Sequence, residues 1–101
     1  MLRINVEFRK GVLFVRLKGT IDNEKYLEDV NNLIVKIGIK YFVLNTEHIK
    51  YFDINSINNI VKYNTKILKE KKKLLICDNK RNNVFNNIPN IKCEIDAFSL
   101  I

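Results

Sequence analysis

Few side chains in this 101-residue chain could take part in catalysis or hold a metal ion. The chain has one His and two Cys, and His48, Cys77 and Cys93 stand well apart in the sequence. The two Cys lack the Cys-x-x-Cys spacing of a zinc site, and no Ser/His/Asp or Cys/His arrangement can be defended from the sequence. We therefore predict a non-enzymatic protein without a metal or cofactor, in which both Cys are small buried apolar side chains.

The carboxylates of Asp22 and Asp53 are further candidates, because each stands at the start of a predicted helix. Paired carboxylates can perform acid/base chemistry or bind a divalent cation. Asn55 is the only other ligand candidate close to them in sequence, which argues against such a site. Asp, Asn and Ser are also favoured at the N-terminal cap of a helix, so capping alone would account for Asp53, Asn55 and Ser56.

The charge balance is basic, with 18 Lys and Arg against 11 Asp and Glu. Such a balance usually suggests a protein that binds nucleic acid. The charges are spread along the chain, however, and the run Lys69–Lys73 follows a predicted helix, where positive charge is favourable. No segment reaches the roughly 18 apolar residues of a membrane span, and the N-terminus has no apolar signal core. We predict a cytoplasmic protein with no specific nucleic-acid partner and no membrane insertion.

The strands follow from the apolar pattern. Residues 2–8 alternate between apolar and polar side chains, which predicts a half-buried strand. Lys10-Gly11 is a turn signal, so this strand and Val12–Lys18 form an antiparallel hairpin. The continuous apolar runs Tyr41–Leu44 and Leu74–Cys77 predict central strands covered on both faces, and Ile91–Ile95 alternates as a last strand.

The helices fall between these strands. One is predicted from Asp22 or Asn23 to Gly38, a second from about Asn55 to Glu70, and a short third within Asp78–Asn87. In the second helix Ile57 is expected to turn inward. The order predicts a single α/β domain over residues 1–101. It contains a mixed sheet that begins with a hairpin, after which strands and helices alternate, and the helices lie mainly on one face of the sheet.

Four local patterns in this order resemble a STAS domain of the bacterial anti-sigma-factor antagonist type. Leu17 to Asp22 looks like the family's Leu-x-Gly-x-Ile-Asp, and Phe42 to Asn45 looks like its buried central strand ending in Asn or Asp. Tyr51 to Ile57 stands where the family has Phe-Met-Asp-Ser-Ser-Gly-Leu. The fourth pattern is Leu74–Cys77 followed by Val84-Phe85 and Ile88.

The resemblance implies a function in partner switching. In this family the unphosphorylated antagonist binds an anti-sigma factor that is also an ATP-binding serine kinase, and phosphorylation of a Ser at the start of the second helix releases it. The present chain departs at that place. Aligning Asp53 with the family's Asp puts Asn55 at the phosphoacceptor position and Ser56 at a Gly. Either Ser56 has become the acceptor, or the module binds without the switch, or the domain serves elsewhere.

The leading expectation is a non-enzymatic module that binds an anti-sigma factor of the serine-kinase type, without the family's phosphorylation switch. The alternative is a STAS subunit of a stress-signalling scaffold or of a lipid or anion transport assembly. The chain after the last predicted strand is short, which could expose an apolar face and favour a homodimer. The expected partner-binding surface consists of Asp22, Asp53, Asn55, Ser56 and Asn59.

Overall fold

The computed structural model describes residues 2–21, 32, 38–81, 84–85 and 88–100. Its strands are β1 (Leu2–Arg9), β2 (Val12–Ile21), β3 (Tyr41–Phe52), β4 (Lys73–Cys77) and β5 (Asn90–Ile91). Helix α1 (Ile54–Lys69) connects β3 to β4, and a 3₁₀ helix (Glu94–Ser99) follows β5. The helix predicted from Asp22 or Asn23 to Gly38 lies outside the described residues, except for Asn32 and Gly38.

The strands form one mixed sheet in the order β1-β2-β3-β4-β5. β1 pairs with β2 antiparallel, and every later neighbour pair is parallel. Lys10 and Gly11 join the first two strands, and both have positive φ angles, 50° and 83°. This is the pattern of a type I′ turn, whose twist matches that of a two-residue hairpin. The predicted mixed sheet with an N-terminal hairpin is confirmed.

Both faces of the sheet are covered. Ile60 and Ile67 of α1 pack with Leu44 and Ile76 on one face, and Ala97 of the 3₁₀ helix packs on the other. Burial on both faces explains why β4 and the first part of β3 read as continuous apolar runs. The expectation that the short C-terminal segment leaves an apolar sheet face open is wrong for this face. Ala97 is completely buried there, with Phe98 packed against the same cluster.

β3 is much longer than the predicted Tyr41–Leu44. It runs for 12 residues, and its second half continues to pair with β2 as far as Ile21 and Phe52. The register with β2 shifts twice, between Arg16 and Lys18 and between Gly19 and Thr20. Each shift places an additional residue in β3, as in a β-bulge. These additional residues interrupt the alternation of apolar and polar side chains, so the segment resembles a loop in sequence.

The predicted third helix within Asp78–Asn87 is wrong for its described residues, which form bends and a turn. Asp78 Oδ1 accepts hydrogen bonds from the backbone N–H groups of Lys80 (2.9 Å) and Arg81 (3.2 Å). Such a side-chain contact offers the backbone an alternative to helical pairing. The last strand is also shorter than predicted, because the chain turns into the 3₁₀ helix at Glu94.

β1 is not the half-buried strand that its alternation predicts. Leu2 is partly buried against the core, but 42% of Ile4, 53% of Val6 and 57% of Phe8 is exposed. These side chains lie at the edge of the sheet, opposite the buried Leu17, Val15 and Leu13 of β2. The apolar pattern therefore predicts the strand correctly, whereas the burial depends on what covers the outer edge.

Candidate functional site

The beginning of α1 is organised by Asp53. This residue is the N-cap of the helix, with an extended backbone (φ −73°, ψ 159°), and its Oδ1 accepts a hydrogen bond of 2.7 Å from the backbone N–H of Ser56. The Asp53 carbonyl accepts the N–H of Ile57 at 3.2 Å. The capping interpretation of Asp53 is confirmed, and neither Asn55 nor Ser56 is the cap. A carboxylate at this place also meets the positive end of the helix dipole.

Ser56 is completely buried, and its hydroxyl is a buried polar group without a hydrogen-bond partner among the described residues. Its backbone N–H donates to the cap, and its complete burial shows that the side chain points into the structure. A kinase or a docking partner cannot reach this hydroxyl in the folded domain. The geometry thus removes Ser56 from the accessible part of the expected surface. Its phosphorylation stays a prediction that would require local opening of the helix.

The exposed side chains in the first two turns of α1 are Ile54, Asn55 and Asn58, whereas Asp53 and Asn59 are partly buried. Tyr51, two residues before the cap, is 58% exposed, and Ile54 is 71% exposed. Ile57 turns towards the core, as predicted. The described surface around the cap therefore combines one carboxylate and amides with two large apolar side chains.

Tyr51 and Ile54 were missing from the expected surface. Aromatic residues often anchor interfaces, which was a usable signal for Tyr51. Ile54 gave no such signal, because the predicted helix began at about Asn55 and the pattern assigned Ile54 to neither face. We call Tyr51, Asp53, Ile54, Asn55 and Asn59 the α1 surface.

Asp22 lies outside the described residues. The chain reaches it from Ile21, whose backbone pairs with Phe52 next to Asp53. The ends of β2 and β3 are therefore adjacent, as the expected surface requires. The position of the Asp22 carboxylate relative to Asp53 stays a prediction.

A buried polar network fixes the end of β3 behind this surface. Asp78 is fully buried and accepts hydrogen bonds from the Thr46 hydroxyl (2.6 Å) and from Arg81 Nη1 (2.8 Å). Arg81 also donates to the backbone carbonyls of Thr46 (3.2 Å) and Ile49 (2.7 Å), and its guanidinium lies 5.8 Å from the centre of the Phe52 ring. The network thereby ties the bulged part of β3 to the segment after β4.

The electrostatics of Asp78 follow from these contacts. Burial raises the pKa of its carboxyl, but the hydrogen bonds from Thr46 and Arg81 and the charge of Arg81 outweigh burial. The pKa of Asp78 is therefore below its ordinary value, and the group is ionised at neutral pH. Sequence reasoning missed this network. The available signal was an Asp directly after a buried strand with an Arg three residues later, at an ion-pair spacing.

A second polar cluster lies at Glu94, the first residue of the 3₁₀ helix. Arg16 Nη2 donates to Glu94 at 2.7 Å and contacts Glu7 at 2.9 Å, and Asn45 Nδ2 donates to Glu94 at 3.0 Å. The hydrogen bonds from Arg16 lower the pKa of Glu94 despite its partial burial. This cluster joins β1, β2, β3 and the 3₁₀ helix, and we interpret it as structural.

The remaining reactive side chains do not form a site. Cys77 is buried as predicted, and burial raises the pKa of its thiol to about 12. Cys93 is exposed, so the prediction that both Cys are buried is wrong for this one. His48 is an exposed residue of β3. In the part of the chain that the structure describes, no three His, Cys, Asp or Glu side chains are grouped so that they could hold a metal ion.

Solved structures share this arrangement. An anti-sigma factor antagonist from Mycobacterium paratuberculosis matches all of this chain and 94% of its own, with a TM-score of 0.79 and 17% identity. SpoIIAA, an anti-sigma factor antagonist solved in its unphosphorylated form, matches 97% of this chain and 96% of its own, with a TM-score of 0.75 and 13% identity. The chain has the STAS fold.

A further STAS domain, the antisigma-factor antagonist from Rhodobacter sphaeroides, matches 87% of this chain and 95% of its own. Its TM-score is 0.61 at 15% identity. At such low identity the likeness concerns the STAS fold, and function requires a separate argument. No protein-family model matches the sequence. None of the helices among the described residues has the length and apolarity that crossing a bilayer demands.

Proposed function

We propose that this protein is a non-enzymatic, cytoplasmic interaction module that binds an anti-sigma factor of the serine-kinase type through the α1 surface, without regulation by phosphorylation. The observation that carries the proposal is the exposure of Asn55 together with the burial of Ser56. The residue that aligns with the family's phosphoacceptor is an exposed Asn55, and the neighbouring hydroxyl of Ser56 is buried. The surface is thus present, but its accessible position has no hydroxyl.

The chemistry of the α1 surface suits a constitutive contact. Tyr51 and Ile54 offer exposed apolar area, and Asn55 offers an amide that donates and accepts hydrogen bonds. A phosphate at this place would add about −1.5 to −2 charges beside the Asp53 carboxylate. Inside an interface, that charge would be repelled by Asp53 and would have to lose its hydration. An Asn in the same place avoids both effects at all times.

The first experiment identifies the partner and tests the surface. The tagged protein is used to recover partners from its native host with ATP or ADP present, and mass spectrometry identifies them. We expect an ATP-binding anti-sigma kinase. Asn55→Asp should weaken its binding at least tenfold. Thr65→Asp, an exposed change later on the same helix, should leave binding unchanged.

The second experiment restores the switch. Asn55→Ser places a hydroxyl at the exposed position, and we expect the recovered kinase to phosphorylate this variant and then release it, whereas the wild-type chain stays bound. Phosphate on Ser56 of the wild-type chain would instead show that the acceptor has moved. Equal binding by wild type and Asn55→Asp would contradict the proposed surface. Recovery of scaffold or transporter subunits would favour the alternative STAS role.

A further inference from the structure

The outer edge of β1 is the most unusual surface of this domain. No other strand among the described residues pairs with it, and three of its apolar side chains, Ile4, Val6 and Phe8, are about half exposed. Natural edge strands are usually protected by charged side chains, Pro, a bulge or a short length. β1 has eight residues, contains no Pro, and pairs with β2 without a register shift. Its charged side chains, Arg3, Glu7 and Arg9, alternate with the apolar ones and so lie on the opposite face of the strand. The other edge is protected, because β5 has only two residues.

The hairpin determines which backbone groups of β1 remain available. In a two-residue hairpin the residues that flank the turn, here Arg9 and Val12, exchange both backbone hydrogen bonds. Every second residue before Arg9 therefore also points its N–H and C=O at β2. The intervening residues direct theirs outward, and these are Leu2, Ile4, Val6 and Phe8. The apolar residues thus supply both the free backbone groups and the exposed side chains.

A second copy of β1 is a suitable occupant of this edge because the strand is complementary to itself. A two-fold axis through an antiparallel pair places one residue opposite its own copy. With Asn5 at the axis, Arg3 of each copy lies opposite Glu7 of the other copy. Ile4 of each copy lies opposite Val6 of the other, and the outward N–H and C=O groups of these two residues face each other. Cross-strand pairs of opposite charge and of apolar side chains are the favourable kinds.

The other symmetric registers that use the outward backbone groups are worse. With Val6 at the axis, Arg3 lies opposite Arg9, and with Glu7 at the axis, two carboxylates face each other; like charges directly opposite each other are unfavourable. With Ile4 at the axis no pair of opposite charges forms, and with Phe8 at the axis only the last three residues of β1 overlap. The Asn5 register combines a long overlap with two pairs of opposite charge.

We propose that two copies of this chain associate through antiparallel pairing of their β1 edges, with Asn5 opposite Asn5, to form a continuous ten-stranded sheet. The contact adds backbone hydrogen bonds at Leu2, Ile4, Val6 and Phe8 of each copy. It doubles the apolar stripe that Ile4, Val6 and Phe8 form on the strand, and it forms two Arg3–Glu7 pairs between the copies. The α1 surface takes no part, so the dimer and the proposed partner contact can fail independently.

The first test measures association of the wild-type chain by sedimentation velocity across a dilution series up to about 100 µM, a range that detects a dimer with a dissociation constant of about 100 µM or tighter. We expect a monomer–dimer equilibrium. Val6→Pro removes an outward N–H without touching the β1–β2 ladder, and Val6→Lys keeps that N–H but adds a charge to the stripe. Both variants should be folded by circular dichroism and monomeric by sedimentation velocity.

The second test addresses the register. Arg3→Glu should weaken the dimer about tenfold, because like charges then face each other twice. Glu7→Arg should do the same, although Glu7 also contacts Arg16 at 2.9 Å. An equimolar mixture of the two variants should recover wild-type affinity as a heterodimer in native mass spectrometry. Arg9→Glu should change nothing, since in this register Arg9 lies opposite no residue of the other copy's β1.

Three outcomes would overturn the proposal. One is a wild-type chain that stays monomeric at the highest concentration. Another is a dimer that persists in both Val6 variants. The third is a mixture of Arg3→Glu and Glu7→Arg without heterodimer, or a dimer strengthened by Arg9→Glu, which would indicate Val6 at the axis.

Discussion

Asp53 and Asp78 occupy equivalent places in the fold, since each directly follows a parallel strand at the carboxyl edge of the sheet. Both use Oδ1 to accept backbone N–H groups of the next residues, Ser56 in one case and Lys80 and Arg81 in the other. Asp53 starts a helix and remains partly exposed. Asp78 is fully buried, because Thr46 and Arg81 occupy its second oxygen.

The difference shows how partners decide the role of a residue. An Asp at a strand end serves as a helix cap when only backbone donors are available. When an Arg and a hydroxyl converge on it as well, the same residue becomes part of a buried ion pair. In this domain the first Asp lies in the α1 surface, and the second holds the strand that carries this surface.

The largest expected effect comes from Asp78→Asn. This change leaves the Arg81 guanidinium largely buried without its carboxylate, and breaking a buried ion pair from one side typically costs about 3 kcal/mol or more. We expect the free energy of unfolding in urea to fall by about that amount. Asp53→Asn is the matched control, because Asn is an equally good cap, and it should change stability by less than about 0.5 kcal/mol. Similar losses in both variants would contradict the contrast between the two Asp residues.

The second effect is a loss of folding stability at low pH. The pKa of Asp78 in the folded chain is below its ordinary value of 3.8, so the unfolded chain takes up the proton first as the pH falls. The stabilisation is complete above the ordinary pKa and is lost as the pH falls through the folded one.

Urea unfolding at a series of pH values between about 6 and 2.5 measures this loss. Wild type should lose more stability than Asp78→Asn over that range. Glu94 has a pKa shift in the same direction but is present in both chains, so the difference between the curves isolates Asp78. Parallel curves would show that Asp78 does not have a lowered pKa.

The smallest effect separates Asn55 from Ser56. Ser56→Ala removes a buried hydroxyl that has no hydrogen-bond partner among the described residues, so it should stabilise the fold by about 1 kcal/mol, or about 5 °C in Tm. Asn55→Ala changes an exposed residue and should stay within about 0.5 kcal/mol of wild type. Thermal unfolding followed by circular dichroism measures both. A destabilised Ser56→Ala would indicate that the hydroxyl has a partner, such as a bound water.

The sequence predicts this fold well where one periodicity persists. The limits of α1 agree with the prediction to within one residue, because Ile57, Ile60 and Ile67 recur at helical spacing. β4 also agrees, since its apolar run is covered on both faces. The second half of β3 fails because its irregular register with β2 breaks the alternation.

The site is predicted less completely, because burial depends on distant parts of the chain. Residue type made Asp53 one of three cap candidates, but the choice between Asp53, Asn55 and Ser56 required the structure. The burial of Ser56 required knowledge of which side of the first helical turn meets the core. The hydrogen bond between Thr46 and Asp78 joins residues 32 positions apart, and a single sequence has no local signal for it, whereas the Asp78–Arg81 pair has an ion-pair spacing that could have been recognised.

The turn at Lys10 and Gly11 has a consequence for the order of folding. It brings β1 and β2 together through the most local contacts of the sheet, and hairpins of this kind form in about 1–10 µs. The parallel pairing of β2 with β3 must close a segment of about 20 residues, which is slower because of the entropy of loop closure. During synthesis the hairpin also leaves the ribosome before β3. We therefore expect the free edge of β1 to be exposed to other nascent chains before the rest of the sheet exists.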